Sequence, residues 1–232
     1  MTDRYDTRIA AGMEEPPPRP AFPKRLWMVL VRPGDLFDAL AANPAWFPMA
    51  AFTAAVVGVA LALTPAELYY EVAAAGASPE RMGDLGELPT IWYKIPAVVG
   101  GTGVMLVLPV VMSLVTYLIF VFMRGDRATF RQHLCVMSHA GVISAFGALL
   151  MTPLRIRNRN FQEALTLGDF VPFLDGFPFD VLDRMDLFAI WASAVAGLGL
   201  SLLDERRRWW PTAAVLVGMV AALAVAQAKL AP

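Results

Sequence analysis

Five stretches of this chain contain no Asp, Glu, Lys or Arg: Ala39 to Ala66, Ile95 to Met123, Gln132 to Leu154, Leu187 to Leu203 and Trp209 to Ala228. They are 28, 29, 23, 17 and 20 residues long, together half of the 232-residue protein. A helix rises about 1.5 Å per residue and needs roughly 20 apolar residues to cross about 30 Å of hydrocarbon, so each stretch is long enough or nearly so. With 57% hydrophobic residues, 17% charged residues and a mean hydropathy of +0.55, the chain is too apolar for a water-soluble domain of this size. The expected fold is an all-α integral membrane bundle with the lipid bilayer as its first partner. It has five transmembrane helices at about 46–64, 95–123, 132–152, 187–203 and 209–228, within a domain spanning 45–230.

Residues 1–23 mix charges with the run Glu14-Glu15-Pro16-Pro17-Pro18-Arg19-Pro20. So much proline removes amide donors and leaves little apolar surface to bury, which predicts a disordered tail. No apolar core and cleavage site follow its basic start, so it does not read as a signal peptide. From 24 to 44 the chain is amphipathic: Leu26, Trp27, Leu30 and Val31 recur at helical spacing beside Lys24 and Arg25. Pro33 then restarts a helix, with Leu36, Phe37 and Leu40 on one face. This segment is expected to lie in the membrane interface, to pack on the end of the bundle, or both.

Aromatic and basic residues mark the membrane boundaries: Trp27, Trp46, Trp92, Tyr93, and the cluster Arg206, Arg207, Arg208, Trp209 and Trp210. Counting Lys and Arg on alternate sides gives twelve on the N-terminal side and seven on the other. Basic residues near membrane ends favour the cytoplasm, so the chain is expected in the inner membrane with a cytoplasmic N-terminus and a periplasmic or extracellular C-terminus. Arg155, Arg157 and Arg159 on the outer side oppose that assignment. An acidic outer loop, Glu67 to Lys94, faces a basic one, and the apolar run Phe170 to Phe179 is expected to dip into the interface or cap the bundle.

Lipid tails are as apolar as leucine, so membrane helices associate by close packing of small residues. Ser193, Gly197 and Ser201 recur every four residues on the fourth helix, and Ala214, Gly218 and Ala222 do so on the fifth. These stripes serve packing within one chain or in a homo-oligomer, and the spacing does not divide the two.

A charge at the centre of a membrane helix costs about 2.5 to 3.5 kcal/mol on insertion scales, so proton or ion paths leave visible intramembrane carboxylates. None of the five stretches has one. Cys135 and His139, four apart on one helical face, are the candidate metal pair, while His133 is six from His139 and points elsewhere. Two ligands need others to hold a metal, so no metal and no cofactor are expected. No Gly-x-Ser-x-Gly, His-Glu-x-x-His or phosphate-loop pattern occurs, and a formal net charge of −1 offers nucleic acid no field. The expectation is a protein that is not an enzyme.

The segment from Leu30 to Leu40, with Arg32-Pro33-Gly34-Asp35-Leu36-Phe37, followed by Asn43-Pro44-Ala45-Trp46, resembles the opening of bacterial members of the Yip-one family, the Ypt/Rab-interacting membrane proteins. Phe130-Arg131-Gln132-His133-Leu134 and Asp186-Leu187-Phe188-Ala189-Ile190-Trp191 are similar to the family's entries into the third and fourth helices, and the likeness runs from about Trp27 to Lys229. The resemblance implies a multi-pass protein without known enzymatic chemistry. Eukaryotic relatives are associated with Rab GTPases, a partner not carried over to a chain whose composition looks bacterial. The function expected is therefore non-enzymatic protein interaction or membrane organisation, with a possible homo-oligomer or membrane-protein partner. The alternatives are a permease for a small molecule, lipid or ion, and an accessory subunit of a larger membrane complex.

Overall fold

The computed structural model describes residues 18–77, 88–204 and 206–230. Most of the expected N-terminal tail, and ten residues of the acidic loop after Glu67, lie outside these. The described residues form nine α-helices: α1 (Phe22–Val31), α2 (Pro33–Ala41), α3 (Phe47–Leu63), α4 (Ala66–Ala75), α5 (Ile91–Tyr117), α6 (Phe130–Asn158), α7 (Phe177–Leu182), α8 (Leu187–Ser201) and α9 (Trp209–Leu230). A π-helical turn, Leu118–Phe122, extends α5, and the only β pairing among them is one bridge between Thr166 and Asp186.

Five of these helices, α3, α5, α6, α8 and α9, run alternately between two ends of the bundle. At one end Gln132 reaches Ala41, Arg207 reaches Asp126, and Arg25 reaches Ala45; this is the N-terminal end. At the opposite, distal end Tyr69 stacks edge-on against Phe161 at 5.1 Å, Tyr70 against Tyr93 at 5.5 Å, and Arg159 pairs with Glu71. The segments carrying Glu71 and Arg159 therefore meet at this end, through a pair in which Arg159 stays 63% and Glu71 44% exposed.

Three helices are long and apolar enough to cross a membrane alone: α5 with its π turn, α6 and α9. α3 and α4 form a pair bent by 87°, a fourth span if taken together. The bend falls at Thr64-Pro65, where proline lacks the amide that would continue the ladder. At 15 residues, α8 is only about 22 Å long.

α6 is the axis. Of its most apolar stretch 61% is buried, against 22% for α5 and α9. It begins at a capping box in which Thr129 accepts from the Gln132 amide and Gln132 Oε1 accepts from the Thr129 amide, satisfying two amides the first turn leaves free. It runs six residues past the expected 152, through Pro153. Arg155 and Arg157 thus lie in its last turn, where cations complement the helix dipole, and Arg155 Nε donates to the Glu163 carbonyl at 2.8 Å.

Small residues set the distances between helices. A Cβ on Gly197 would collide with the Ala213 backbone, so α8 and α9 touch main chain to main chain. One on Gly147 would enter the Phe188 ring, and one on Gly199 would lie 2.7 Å from Phe37 and 2.8 Å from Val136. α3 crosses α5 where a Cβ on Gly58 would lie 2.7 Å from the Thr102 hydroxyl and one on Gly101 would lie 2.6 Å from the Leu61 side chain.

The small-residue stripes have different fates. Gly197 and Ser201 are buried within the chain and Ser193 is half-buried, whereas Ala214, Gly218 and Ala222 are exposed, with open space beside Gly218. α9 instead presents Thr212, Ala213 and Leu216 to the bundle, on the face opposite the stripe.

Gly197→Leu is expected to destabilise the protein by at least about 3 kcal/mol in mixed-micelle unfolding, because neither backbone can retreat without separating α8 from α9. Gly218→Leu should change it by under about 0.5 kcal/mol. Equal effects at the two positions would show that α8 and α9 do not pack as described.

Candidate functional site at the N-terminal end of the bundle

Polar and charged groups converge at the N-terminal end. α2 is not a surface helix there: Leu36, Phe37 and Leu40 are at most 2% exposed, and Phe37 fits between Gly199 of α8 and Val136 of α6, its ring edge-on to His139 at 6.4 Å. The alternatives open in the sequence resolve into a division of labour. α2 plugs the end of the bundle, and α1 covers the start of α3, with Phe22 edge-on to Phe52 at 5.6 Å. Gln132 Nε2 donates to the Ala41 carbonyl at 2.9 Å, tying the last turn of α2 to α6.

Beside the plug lies a buried ion pair. After the π turn, Gly125 takes φ 76°, a conformation open to glycine, and the chain reverses so that Asp126 faces inward. Its carboxylate pairs with Arg207, the two side chains being 10% and 4% exposed. The Arg207 guanidinium lies 4.4 Å from the centroid of the fully buried Phe120 ring, and Nη1 donates to the Leu200 carbonyl at 2.8 Å, capping α8. Burial draws the Arg207 pKa below its ordinary value, and Asp126 opposes that shift.

Asp204 completes the turn, accepting from the Arg206 amide at 2.9 Å and the Arg127 amide at 3.3 Å. Partial burial acts to raise its pKa, but those amides, with Arg207 and Arg206, hold it below the usual carboxylate range. Its stabilising contribution is present at neutral pH and lost as pH falls through that lowered value.

Of the expected interfacial residues, Trp27, Trp92, Arg206, Arg208, Trp209 and Trp210 are exposed, Trp46 and Tyr93 are half-buried, and Arg207 turns inward. Arg25 is a second inward cation, 5% exposed. Its Nη1 donates to the Ala45 carbonyl at 3.3 Å, and burial, then repulsion from Arg19, lowers its pKa. Phe120 and Asp126 were not singled out from the sequence, and Arg25 and Phe37 were read there only as parts of the amphipathic segment. The available signals were the i, i+3, i+4 spacing of Arg25 with Met28 and Val29, and Asp126 as the lone acid between α5 and α6.

The histidines of α6 are held by their Nδ1 atoms. Nδ1 of His139 lies 2.7 Å from the Cys135 carbonyl, which can only accept, so Nδ1 carries the proton. Thr116 Oγ1 lies within 3.1 Å of the Met112 and Ser113 carbonyls and 3.0 Å from Nδ1 of His133. The hydroxyl and the imidazole thus share a hydrogen bond between α5 and α6. Cys135 Sγ sits 3.7 Å from His139 Nδ1, on the protonated edge of that ring, so the pair does not offer two lone pairs to one point. Among the described residues no three His, Cys, Asp or Glu side chains gather as metal ligands. His133 ties α6 to Thr116 of α5 and meets Tyr117 edge-on at 5.7 Å, whereas Cys135 and His139 bond within α6.

Charge is divided between the ends. Among the described residues the N-terminal end carries ten Lys or Arg against four Asp, and the distal end six against eight Asp or Glu.

Asp126→Ala is expected to cost about 3 to 5 kcal/mol in mixed-micelle unfolding, since it strands a buried guanidinium, and Asp126→Leu with Arg207→Met should recover most of that loss. The exposed pair at the distal end should matter little, Glu71→Gln shifting stability by under about 1 kcal/mol. A double variant as unstable as Asp126→Ala would refute the stranded-charge account.

The Yip1 domain family model matches residues 27–228, most of the chain. The chain is also 22% identical over 204 residues to a protein of Bacillus subtilis (strain 168) named "Membrane protein YknW", covering 84% of this chain and 86% of that one. No solved structure matches. The multi-helix membrane architecture and the family match over residues 27–228 together establish that this chain is a bacterial-type member of the Yip1 domain family of membrane proteins.

Proposed function

We propose that this chain is a non-enzymatic protein of the bacterial inner membrane that acts by binding another membrane protein through its transmembrane helices. In this reading it crosses five times, with α3 and the short α8 counted among the crossings. The N-terminus and α1–α2 are cytoplasmic, and the C-terminus lies on the outer side. The alternation of five helices between two ends supports that count, and the excess of cations at the N-terminal end supports the orientation, because basic residues at membrane ends are retained in the cytoplasm.

The observation that carries the interaction role is the outer face of α9. Ala214, Gly218 and Ala222 form a smooth stripe of the kind that lets helix backbones approach, and the chain's own packing leaves it open. α8 shows the same device in use, with Gly197 against Ala213. The interior histidines are engaged through Nδ1, His133 with Thr116 of α5 and His139 with the Cys135 carbonyl of its own helix, and among the described residues the Cys135 thiol faces the proton-bearing edge of His139.

Native mass spectrometry after gentle extraction is expected to find a membrane protein in fixed stoichiometry, lost in Gly218→Leu. A chain found only with itself, producing solute flux into liposomes above empty controls, would overturn the proposal in favour of a permease. For orientation, single cysteines at Asn43 and Asp175 in a Cys135→Ala background are the test. An impermeant maleimide should label Asp175→Cys in cells whose inner membrane is intact, and Asn43→Cys only after lysis.

A further inference from the structure

The groove between α1 and α2 takes no part in the packing described above. It encloses about 600 Å³ and is lined by Lys24, Trp27, Met28, Val31, Arg32 and Asp35, a volume typical of small-molecule sites. Its wall is apolar: Met28 is buried, whereas Trp27 is 65% and Val31 46% exposed. Its rim is cationic, and among the described residues neither Lys24 nor Arg32 has a carboxylate within ion-pairing distance. Asp35 reduces the lining charge to a net +1.

Position distinguishes this groove from an ordinary surface hollow. α1 lies on the start of α3 through the Phe22–Phe52 contact and the Arg25 bond to Ala45, and the exposed Phe47 opens that helix. The groove therefore opens where the apolar span begins, at the depth where lipid phosphates meet hydrocarbon. An exposed indole flanked by two cations that have no ion-pair partner among the described residues matches a molecule with an anionic head and an apolar body. The surrounding end of the bundle, with ten cations against four acids among the described residues, draws the anionic rather than the zwitterionic kind.

We infer that the α1–α2 groove seats the headgroup of one anionic phospholipid, with Lys24 and Arg32 on its phosphate and Trp27 and Val31 against its glycerol and first acyl carbons. The inference rests on the interfacial placement of α1–α2 expected from the sequence and is independent of the partner-binding role of α9.

The test is titration of the full-length protein in neutral detergent with phosphatidylglycerol or phosphatidylcholine of the same acyl chains, counting bound lipid by native mass spectrometry. One phosphatidylglycerol per chain is expected, favoured over phosphatidylcholine by at least about tenfold. Lys24→Gln with Arg32→Gln should weaken it by at least about tenfold, and Asp35→Asn should strengthen it severalfold, a gain that misfolding cannot produce. Arg206→Gln with Arg208→Gln should leave it unchanged. Equal retention of the two lipids, an unaffected Lys24/Arg32 double variant, or a loss that follows Arg206 and Arg208 instead would overturn the assignment. Glycerol 1-phosphate binding as tightly as the lipid would also overturn it, making the occupant a free phosphate ester. The detergent measurement does not depend on which way the chain faces, so reversed maleimide labelling with intact lipid binding would remove the orientation and leave the groove's ligand standing.

Discussion

The arrangement depends on where a membrane protein can put hydroxyl and imidazole groups. Hydrocarbon offers them no partner, and each unsatisfied polar group there costs several kcal/mol by order of magnitude. α6 carries His133, Ser138, His139 and Thr152, all buried, and it is surrounded by α3, α5, α8 and the plug α2. α5 buries Ser113 and turns Thr116 toward His133 of α6, while α5 and α9 otherwise lie outside with broad apolar faces toward lipid. A helix with this polar content is stable only at the centre, and once it is central its neighbours follow from which of their faces can approach it.

Approach is the second constraint. Without a hydrophobic drive between helices in lipid, attraction comes from close contact, which glycine provides by removing the Cβ. Gly58, Gly101, Gly147, Gly197 and Gly199 each stand where a side chain would strike a neighbour. Gly199 also makes room for Phe37, so the same device that joins α8 to α6 admits α2 between them. The N-terminal end is then closed by an aromatic plug and held by the Arg207–Asp126 pair on Phe120. That pair joins the turn after α5 to the turn before α9, fixing the two lipid-facing helices to one another through their ends.

The membrane fold class was legible because five charge-free runs can be buried in no other way, and the starts of α3, α8 and α9 follow from residues adjacent to them. Boundaries defined by charge were less faithful. α6 continues past Leu154 because Arg155 and Arg157 can sit in a helix whose end is already outside the apolar layer, so charge there marks the membrane surface rather than the helix end. The basic cluster shows the same limit: Arg206 and Arg208 stay exposed as the spacing suggests, while Arg207 turns inward to a counter-ion 81 residues away.

The sequence by itself determined an all-helical membrane protein with an amphipathic N-terminal segment and small-residue stripes, because hydropathy and helical period are local properties that each stretch carries alone. The tertiary structure decided which stripe is consumed. Gly197 is used against Ala213, and Ala214, Gly218 and Ala222 are left open on the opposite face, because rotation of α9 about its axis is set by what α8 offers it. It likewise decided that α2 enters the bundle while α1 remains at its edge, since only α2 carries an aromatic side chain opposite a glycine deep enough to receive it.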